Sequence, residues 1–295
     1  MSLPTRLAAT PTGPVEYRLT GVGSRTVLVL HGGHVSAAVP LGERDLLDLG
    51  LRVLAVSRPG YGRTPVATAR TRTGFADVVA QLCRDLQIDR LAVVVGMSHG
   101  GPPAVALAAC HPELVEGLIL ESAVSSLPWP GQATRVGAHL AFNSWTEPLT
   151  WRLTGALARW APGVFLRTML GALSTGSGSR VLADLSLADR PEVLELLRSL
   201  RASHGFLHDI REPVDPSLEA RVRCPTLIIA SHHDRQVPRR HAEHLHQRIP
   251  GATLIWSHAP SHLIWFGSSA RERTEQLTRF LAEAATRTCA CHPGA

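Results

Sequence analysis

The chain has 295 residues, of which 44% are hydrophobic, so it can bury one large core or a core with an inserted segment. Its formal net charge is +6, and all 30 of its basic residues are arginine. These arginines are scattered without a basic run, which argues against a nucleic-acid partner, because nucleic-acid binding needs a basic patch.

Six short apolar segments predict β-strands. They are rich in Val, Ile and Leu and alternate little between apolar and polar residues, which is typical of strands buried on both faces of a parallel sheet. These segments are residues 26–30, 52–56, 91–95, 117–121, 226–230 and 253–256. Helical patterns lie between and after them, at residues 74–86, 99–109, 239–248 and 268–285. Strands that alternate with helices predict an α/β fold with a mostly parallel central sheet flanked by helices.

One long segment interrupts this alternation. It contains short helical patterns and no convincing strand, and its helices are predicted at residues 147–160, 163–173, 180–187 and 191–201. We interpret residues 1–121 and 221–295 as the core of the protein. Residues 122–220 are then a helical cap over the carboxyl edge of the sheet.

The sequence Gly96-Met97-Ser98-His99-Gly100 lies where a predicted strand gives way to a helix. Such a corner forces a strained backbone on its central residue, and the neighbours two positions away must be small. Glycine meets this requirement on both sides. The pattern therefore predicts that Ser98 stands at a helix N-terminus, where a nucleophile can act.

A serine nucleophile needs a base, and the base needs an orienting acid. The chain has 15 histidines, so position has to distinguish among them. His262 follows the last predicted strand and Asp234 follows the strand before it, and loops after parallel strands meet at one edge of the sheet. We predict Asp234 as the acid and His262 as the base. Glu121, at a strand end, is a second choice for the acid, and His99 is a weaker choice for the base.

Together these motifs resemble the α/β-hydrolase family over nearly the whole chain outside the insert. The segment VLVLHGGH is similar to the family's strand followed by His-Gly, SRPGYGRT to its next loop, and GMSHGG to its nucleophile elbow. CPTLIIASHHDRQVP is similar to the acid-bearing strand and loop, and SHLIW lies where the family carries its catalytic histidine. The resemblance implies the α/β-hydrolase fold with a cap between the sixth and seventh strands. It also implies that Ser98, Asp234 and His262 form a catalytic triad.

An oxyanion hole formed by the backbone N–H groups of Gly33 and His99 is implied by the same resemblance. The residues at these positions are consistent with this role. The N–H of His99 is an unpaired amide in the first turn of a helix, and glycine at position 33 lets the backbone approach a ligand closely. We expect the His99 side chain to be carried away by the helix, His31 to fix its loop, and Arg58 to form a structural ion pair. The candidate pocket residues are His34, Trp129, Trp145, Trp151 and Trp265.

The predicted activity is that of a cofactor-free serine hydrolase. It would cleave an ester, lactone or related acyl bond of a small to medium hydrophobic substrate through an acyl-enzyme. Ser98 argues against haloalkane dehalogenases and epoxide hydrolases, because both place an aspartate at the elbow. Carbon–carbon bond hydrolysis of a vinylogous diketone, acyl transfer, perhydrolysis and a non-catalytic small-molecule receptor remain alternatives. We expect no metal, because no His/Cys/Asp cluster in the Ser98 loops has ligand spacing.

The five cysteines are an odd number, and three of them (Cys83, Cys110 and Cys224) lie within apolar patterns. This favours reduced thiols in a cytoplasmic protein. Cys289 and Cys291 lie near the chain end and have poor spacing for a metal. We find neither a signal-peptide core nor a run of roughly 18 apolar residues, so we expect no membrane association. Either a monomer or a homodimer is compatible with the sequence.

Overall fold

The structure is a computed structural model that describes residues 2–129, 155, 156, 158–200 and 204–290. Its strands are β1 (Arg6–Thr10), β2 (Gly13–Thr20), β3 (Thr26–Leu30), β4 (Arg52–Val56), β5 (Leu91–Met97), β6 (Leu118–Glu121), β7 (Thr226–Ser231) and β8 (Thr253–Ser257). They form one eight-stranded sheet with the order β1-β2-β4-β3-β5-β6-β7-β8. The pairs β1–β2 and β2–β4 are antiparallel and the other five pairs are parallel, so the predicted mostly parallel α/β sheet is confirmed.

Helices connect these strands and cover the sheet. Those in the described part of the chain are α1 (Arg44–Asp48), α2 (Arg72–Asp85), α3 (Gly101–Cys110), α4 (Pro162–Ala172), α5 (Gly178–Asp184), α6 (Asp189–Ser199), α7 (His204–Arg211), α8 (Ser217–Arg221), α9 (Arg240–Arg248) and α10 (Ala270–Ala290). None of them combines the length and the apolar character that a membrane crossing requires.

Alternate residues of the central strands face two separate apolar cores. On one face, Leu28 and Val94 pack in the same cluster as Phe75 of α2. On the other face, Val29 and Val95 pack in a cluster that includes Leu277 of α10 and residues of α4, α5 and α6. The helices of the insert therefore continue the second core of the sheet, so that burial of apolar surface holds them on the sheet.

The insert lies between β6 and β7 in the chain. In residues 155, 156, 158–200 and 204–220 its regular elements are helices, α4 to α7 and most of α8, together with an isolated bridge between Ser174 and Asp234. The helix predicted at 147–160 falls largely outside the described residues. The sequence missed α7 and α8, and the division at residues 122 and 220 stays a prediction.

Two strands at the amino terminus were not predicted. In β2, the charged residues Glu16 and Arg18 are buried. Charged residues at inward positions interrupt the apolar alternation on which strand prediction depends. Both charges are paired in the fold: Arg18 Nη2 lies 2.7 Å from Glu43 Oε2, and Arg63 Nε lies 3.0 Å from Glu16 Oε1. The burial of these charges in β2 therefore depends on partners that are distant in the sequence, and the residue pattern of the strand itself does not reveal them.

Candidate active site

Ser98 lies at the corner between β5 and α3. Its backbone has a φ of +50°, in the left-handed region that residues with side chains rarely occupy. A Cβ atom added at Gly96 would lie 2.7 Å from the Cβ of Ala104, and one added at Gly100 would overlap the carbonyl oxygen of Leu30. The fold thus requires glycine on both sides of the corner, and it holds Ser98 at the carboxyl end of its strand.

Asp234 and His262 form a buried hydrogen-bonded pair. Asp234 follows β7, His262 follows β8, and His262 Nδ1 lies 2.6 Å from Asp234 Oδ2. The other carboxylate oxygen accepts hydrogen bonds from the backbone N–H groups of Gln236 and Val237, each at 2.8 Å. Because the carboxylate faces Nδ1, it favours the neutral tautomer of His262 that carries its proton there and leaves Nε2 as an acceptor.

Ser98 and His262 line the same cavity, which has a volume of about 150 Å³. Its walls are largely apolar and include Leu173, Leu197 and Phe206. The predicted pocket residues His34, Trp129 and Trp265 line this cavity, whereas Trp145 and Trp151 lie outside the described residues. A cavity of this size accommodates a group of roughly the size of benzene.

The loop after β3 passes directly beside the serine. A Cβ atom added at Gly32 would lie 2.8 Å from the Cβ of Ser98, so a side chain at this position would displace the serine. Gly33 and His99 line the cavity together with Ser98. Their role as oxyanion donors stays a prediction.

Two buried contacts hold this loop from behind. Arg58 Nε donates a hydrogen bond to the carbonyl oxygen of His31 at 2.9 Å, and His31 Nε2 lies 3.1 Å from Glu43 Oε1. Glu43 is itself paired with Arg18. The position of His31 is therefore that of a residue that fixes the loop, as expected from the sequence.

Residues 27–277 match the model of a family described as the alpha/beta hydrolase family. The chain belongs to the alpha/beta hydrolase family. The "Uncharacterized hydrolase YcgS" of Bacillus subtilis (strain 168) is 32% identical to it over 273 residues, which cover 91% of this chain and 95% of that protein. The protein is an alpha/beta hydrolase enzyme by this relationship.

Two further relatives of this hydrolase carry names that specify a reaction. A "Pimeloyl-[acyl-carrier protein] methyl ester esterase" of Neisseria meningitidis is 30% identical, over 85% of this chain and 77% of that protein. A "2-hydroxy-6-oxononadienedioate/2-hydroxy-6-oxononatrienedioate hydrolase" of Cupriavidus pinatubonensis is 28% identical, over 85% of this chain and 86% of that protein. Among solved structures, an "Alpha/beta hydrolase fold protein from Nakamurella multipartita" superposes with a TM-score of 0.80 at 26% identity, over 94% of this chain and 99% of that one.

In this hydrolase Glu121, the second choice for the acid, is engaged elsewhere. Its Oε1 lies 2.6 Å from Arg273 Nε, and its Oε2 accepts a hydrogen bond from Trp265 Nε1 at 2.6 Å. Glu121 is fully buried. The carboxylate that contacts His262 is that of Asp234.

The His99 side chain does not leave the site, contrary to our expectation. His99 lines the cavity together with Trp129, its ring stands 4.9 Å from the ring of Trp129, and its Nδ1 lies 3.4 Å from Asp209 Oδ2. Burial lowers the pKa of His99 to about 4 against the opposing attraction of Asp209. The imidazole is therefore neutral at pH 7, and it is held by its contacts with Asp209 and Trp129.

Asp209, in α7 of the hydrolase, was missed by the sequence analysis. Arg58 Nη1 contacts its two carboxylate oxygens at 2.8 and 2.7 Å, and the Tyr61 hydroxyl donates to Oδ2 at 2.7 Å. Burial alone would raise the pKa of Asp209, but the positive charge of Arg58 holds it below its ordinary value. Arg58 is thus in a structural ion pair, as expected, but its partner lies in the insert. The only sequence signal was the helical spacing of Phe206 and Ile210, which are both buried.

A second and larger cavity lies beside the first. It has a volume of about 690 Å³ and lies between α6 of the insert and the segment around α1. Leu41 and Leu196 line both cavities, so they form the partition between them. Unlike the first cavity, the second is lined by many charged side chains, among them Arg44, Glu192 and Glu195.

The described residues contain no cluster of side chains that could bind a metal ion. Within this part of the chain, no three His, Cys, Asp or Glu side chains are grouped as a metal site would require.

Cys83, Cys110 and Cys224 are free thiols. Burial raises the pKa of Cys83 to about 12 and that of Cys224 to about 11, so neither is a thiolate at neutral pH.

Proposed function

We propose that the protein is a cofactor-free serine hydrolase that cleaves an ester, lactone or related acyl bond through an acyl-enzyme. The observation that carries this proposal is the 2.6 Å contact between His262 Nδ1 and Asp234 Oδ2 beside the cavity that Ser98 also lines. This arrangement supplies a nucleophile, a base and an orienting acid from three different loops. The chemistry it supports is acyl transfer to a serine hydroxyl, followed by hydrolysis.

In this mechanism, His262 Nε2 takes the hydroxyl proton as Ser98 Oγ attacks the carbonyl carbon of the substrate. The tetrahedral oxyanion accepts hydrogen bonds from the backbone N–H groups of Gly33 and His99. His262 then gives its proton to the leaving alcohol, and the C–O bond breaks. A water molecule, deprotonated by His262, hydrolyses the acyl-enzyme and regenerates Ser98. Asp234 stabilises the imidazolium that forms in both steps.

The expected substrate is small to medium and hydrophobic. The cavity beside Ser98 has apolar walls from Leu173, Leu197, Phe206 and Trp265. Its volume of about 150 Å³ favours a short acyl chain or a single ring at the reacting carbonyl. The similarity to a methyl ester esterase supports an ester as the cleaved group.

Carbon–carbon bond hydrolysis is the second candidate, and the relative named for a nonadienedioate substrate favours it. A substrate with two carboxylates needs cationic partners. Among the described residues that line the cavity, none is an arginine or lysine. Arg58, the nearby buried cation, is paired with Asp209. These observations favour hydrolysis of an ester or lactone over carbon–carbon bond hydrolysis of a dicarboxylate substrate.

A labelling and screening experiment tests the proposal. A fluorophosphonate should label the wild-type protein and not Ser98→Ala, and turnover should be found among p-nitrophenyl esters of graded chain length, lactones and a vinylogous diketone. Labelling without turnover would favour a receptor. Turnover of the diketone alone would favour carbon–carbon bond cleavage. Activity that EDTA removes and zinc restores would show that a metal supplies the hydroxide.

A further inference from the structure

A short segment of the insert contacts both loops of the acid–base pair. We name it the strap, residues 172–175, which run from the last residue of α4 into the connection to α5. The carbonyl oxygen of Leu173 accepts a hydrogen bond from the backbone N–H of His262 at 2.9 Å and another from that of Arg235 at 3.4 Å. One oxygen of the strap thus joins the base itself to the residue that follows the acid.

Ser174 contacts the same two loops, the base loop through its side chain and the acid loop through its backbone. Its hydroxyl donates to the carbonyl oxygen of Pro260, two residues before His262, at 2.5 Å. Its backbone forms an isolated antiparallel bridge with Asp234. Ser174 is 1% exposed, so water does not compete for these contacts.

Further hydrogen bonds extend the strap along the acid loop. The backbone N–H of Thr175 donates to the carbonyl oxygen of His233 at 2.9 Å, and Gln236 Nε2 donates to that of Ala172 at 2.8 Å. The core has its own link between the two loops, because Ser231 Oγ donates to the carbonyl oxygen of Ala259. That link lies at the base of the loops, next to the strand ends, whereas the strap contacts them at Asp234 and His262.

We propose that the strap positions the acid–base pair, with Ser174 as the positioning residue. This inference rests on the proposed function, because it assigns a role to the geometry of Asp234 and His262. Both residues lie on loops outside the strands, so the sheet alone does not fix their separation. The insert therefore does more than cover the cavity: it sets the register between the loop of the acid and the loop of the base. Since Leu173 also lines the cavity, the strap connects the substrate wall to the pair.

The test compares Ser174→Ala, Ser174→Thr and Ser177→Ala. The threonine keeps the hydroxyl. Ser177 is the matched control, because it caps α5 by accepting a hydrogen bond from the N–H of Arg180 at 3.2 Å, and its hydrogen bonds among the described residues all lie within α5. We measure the fluorophosphonate labelling rate, kcat and KM on the best ester of the screen, and the thermal unfolding of each variant.

Ser174→Ala should lower kcat and the labelling rate about tenfold or more with KM within about twofold, because small displacements of catalytic groups cost up to about a hundredfold in rate. Ser174→Thr should recover most of the loss, and Ser177→Ala should match the wild type. If Ser174→Ala does not fold, Ser174→Cys, with its weaker donor, should show a partial loss of kcat at unchanged KM. Wild-type rates in whichever of these two variants folds would overturn the positioning role. Equal labelling of the wild type and Ser98→Ala would instead overturn the proposed function.

Discussion

Arg273 and Glu121 form a fully buried ion pair, with Arg273 Nε 2.6 Å from Glu121 Oε1. Arg273 Nη1 also contacts Asp45 Oδ2 at 2.7 Å. The pair occupies Glu121 at the end of β6, whereas Asp234 at the end of β7 is bonded to His262. The two carboxylates should therefore have separable roles, one in stability and one in catalysis.

Asp234→Asn should lower kcat by about 10⁴-fold, because an amide favours the wrong tautomer of His262 and does not stabilise its cation. Glu121→Gln should instead lower the free energy of unfolding by about 3 kcal/mol, because it leaves Arg273 buried with Asp45 as its remaining charged partner. Ester kinetics and urea unfolding of both variants check this. A larger loss of kcat in the Glu121 variant would show that the acid lies after β6.

Ser98→Ala should abolish ester hydrolysis and leave the fold intact, since the nucleophile has no substitute. The control is Ser126→Ala: Ser126 Oγ lies 3.0 Å from His244 Nε2 and donates to Glu219 Oε2, but Ser126 does not lie at a strand–helix corner. This control should keep its activity. The measurements are kcat/KM and a circular dichroism melt. Residual activity of Ser98→Ala within about tenfold of wild type would contradict the assignment.

Leu196→Ala should shift the preferred acyl chain to greater length, because Leu196 separates the cavity of about 150 Å³ from that of about 690 Å³. Leu194→Ala, on the same helix α6, is the matched control, because Leu194 packs on the core and does not line either cavity. The measurement is kcat/KM across a series of p-nitrophenyl esters. An unchanged chain-length profile would mean that substrates do not reach this partition.

Asp209→Asn should destabilise the protein by about 3–5 kcal/mol, because it leaves the guanidinium of Arg58 buried without its anion. Asp215→Asn is the control, since Asp215 is fully exposed and lies four residues beyond α7. Urea unfolding at pH 7 checks both variants. Equal stability of the two would show that the Arg58–Asp209 pair does not hold the insert on the core.

Acid should destabilise the folded protein between about pH 6.5 and pH 4. Burial, together with the positive charge of Arg240 and the proximity of His244, lowers the pKa of His241 to about 4; burial also lowers that of His99 to about 4. The unfolded chain binds these protons near pH ~6.5, so the free energy of unfolding falls as the pH drops through this window, by up to about 1.4 kcal/mol per pH unit for each histidine.

In the folded protein, the N–H of Ser125 donates a hydrogen bond to His241 Nδ1 at 3.2 Å. His241→Asn should flatten the pH dependence, because the asparagine oxygen can accept the same hydrogen bond and does not titrate. His258→Asn is the control, since His258 is largely exposed. The measurement is urea unfolding at pH 7 and at pH 5. Equal slopes for the wild type and the His241 variant would refute the assignment of this stability loss to His241.

The sequence predicted the positions of Ser98, Asp234 and His262 because the carboxyl ends of parallel strands meet at one edge, whatever the order of the strands. Six of the eight strands were also predicted, since their apolar runs are continuous. Of the two that were missed, β2 was hidden because Glu16 and Arg18 point inward and are neutralised by residues distant in the chain.

Other features could not be predicted from one sequence because they are contacts between distant segments. In the sequence, Asp209 resembles an exposed charged residue of a helix. Only the folded structure shows that it is buried and paired with Arg58. The His99 ring was placed wrongly for the same reason, since Asp209 and Trp129 hold it at the cavity. The role of the strap is likewise invisible in its Ala-Leu-Ser-Thr sequence.

The adjacency of β6 and β7 has a consequence for how the protein folds and how it can vary. Leu118 pairs with Thr226, so the entire insert forms a loop whose ends must meet before the sheet is complete. Such distant pairing makes folding slow, because the chain loses conformational entropy on closing the loop before the stabilising contacts between its ends form. Yet the entropy of closure grows only by about 0.6 kcal/mol for each doubling of loop length. The junction can therefore accept inserts of very different length at small thermodynamic cost, provided that each new insert again supplies a segment that joins the loops of Asp234 and His262.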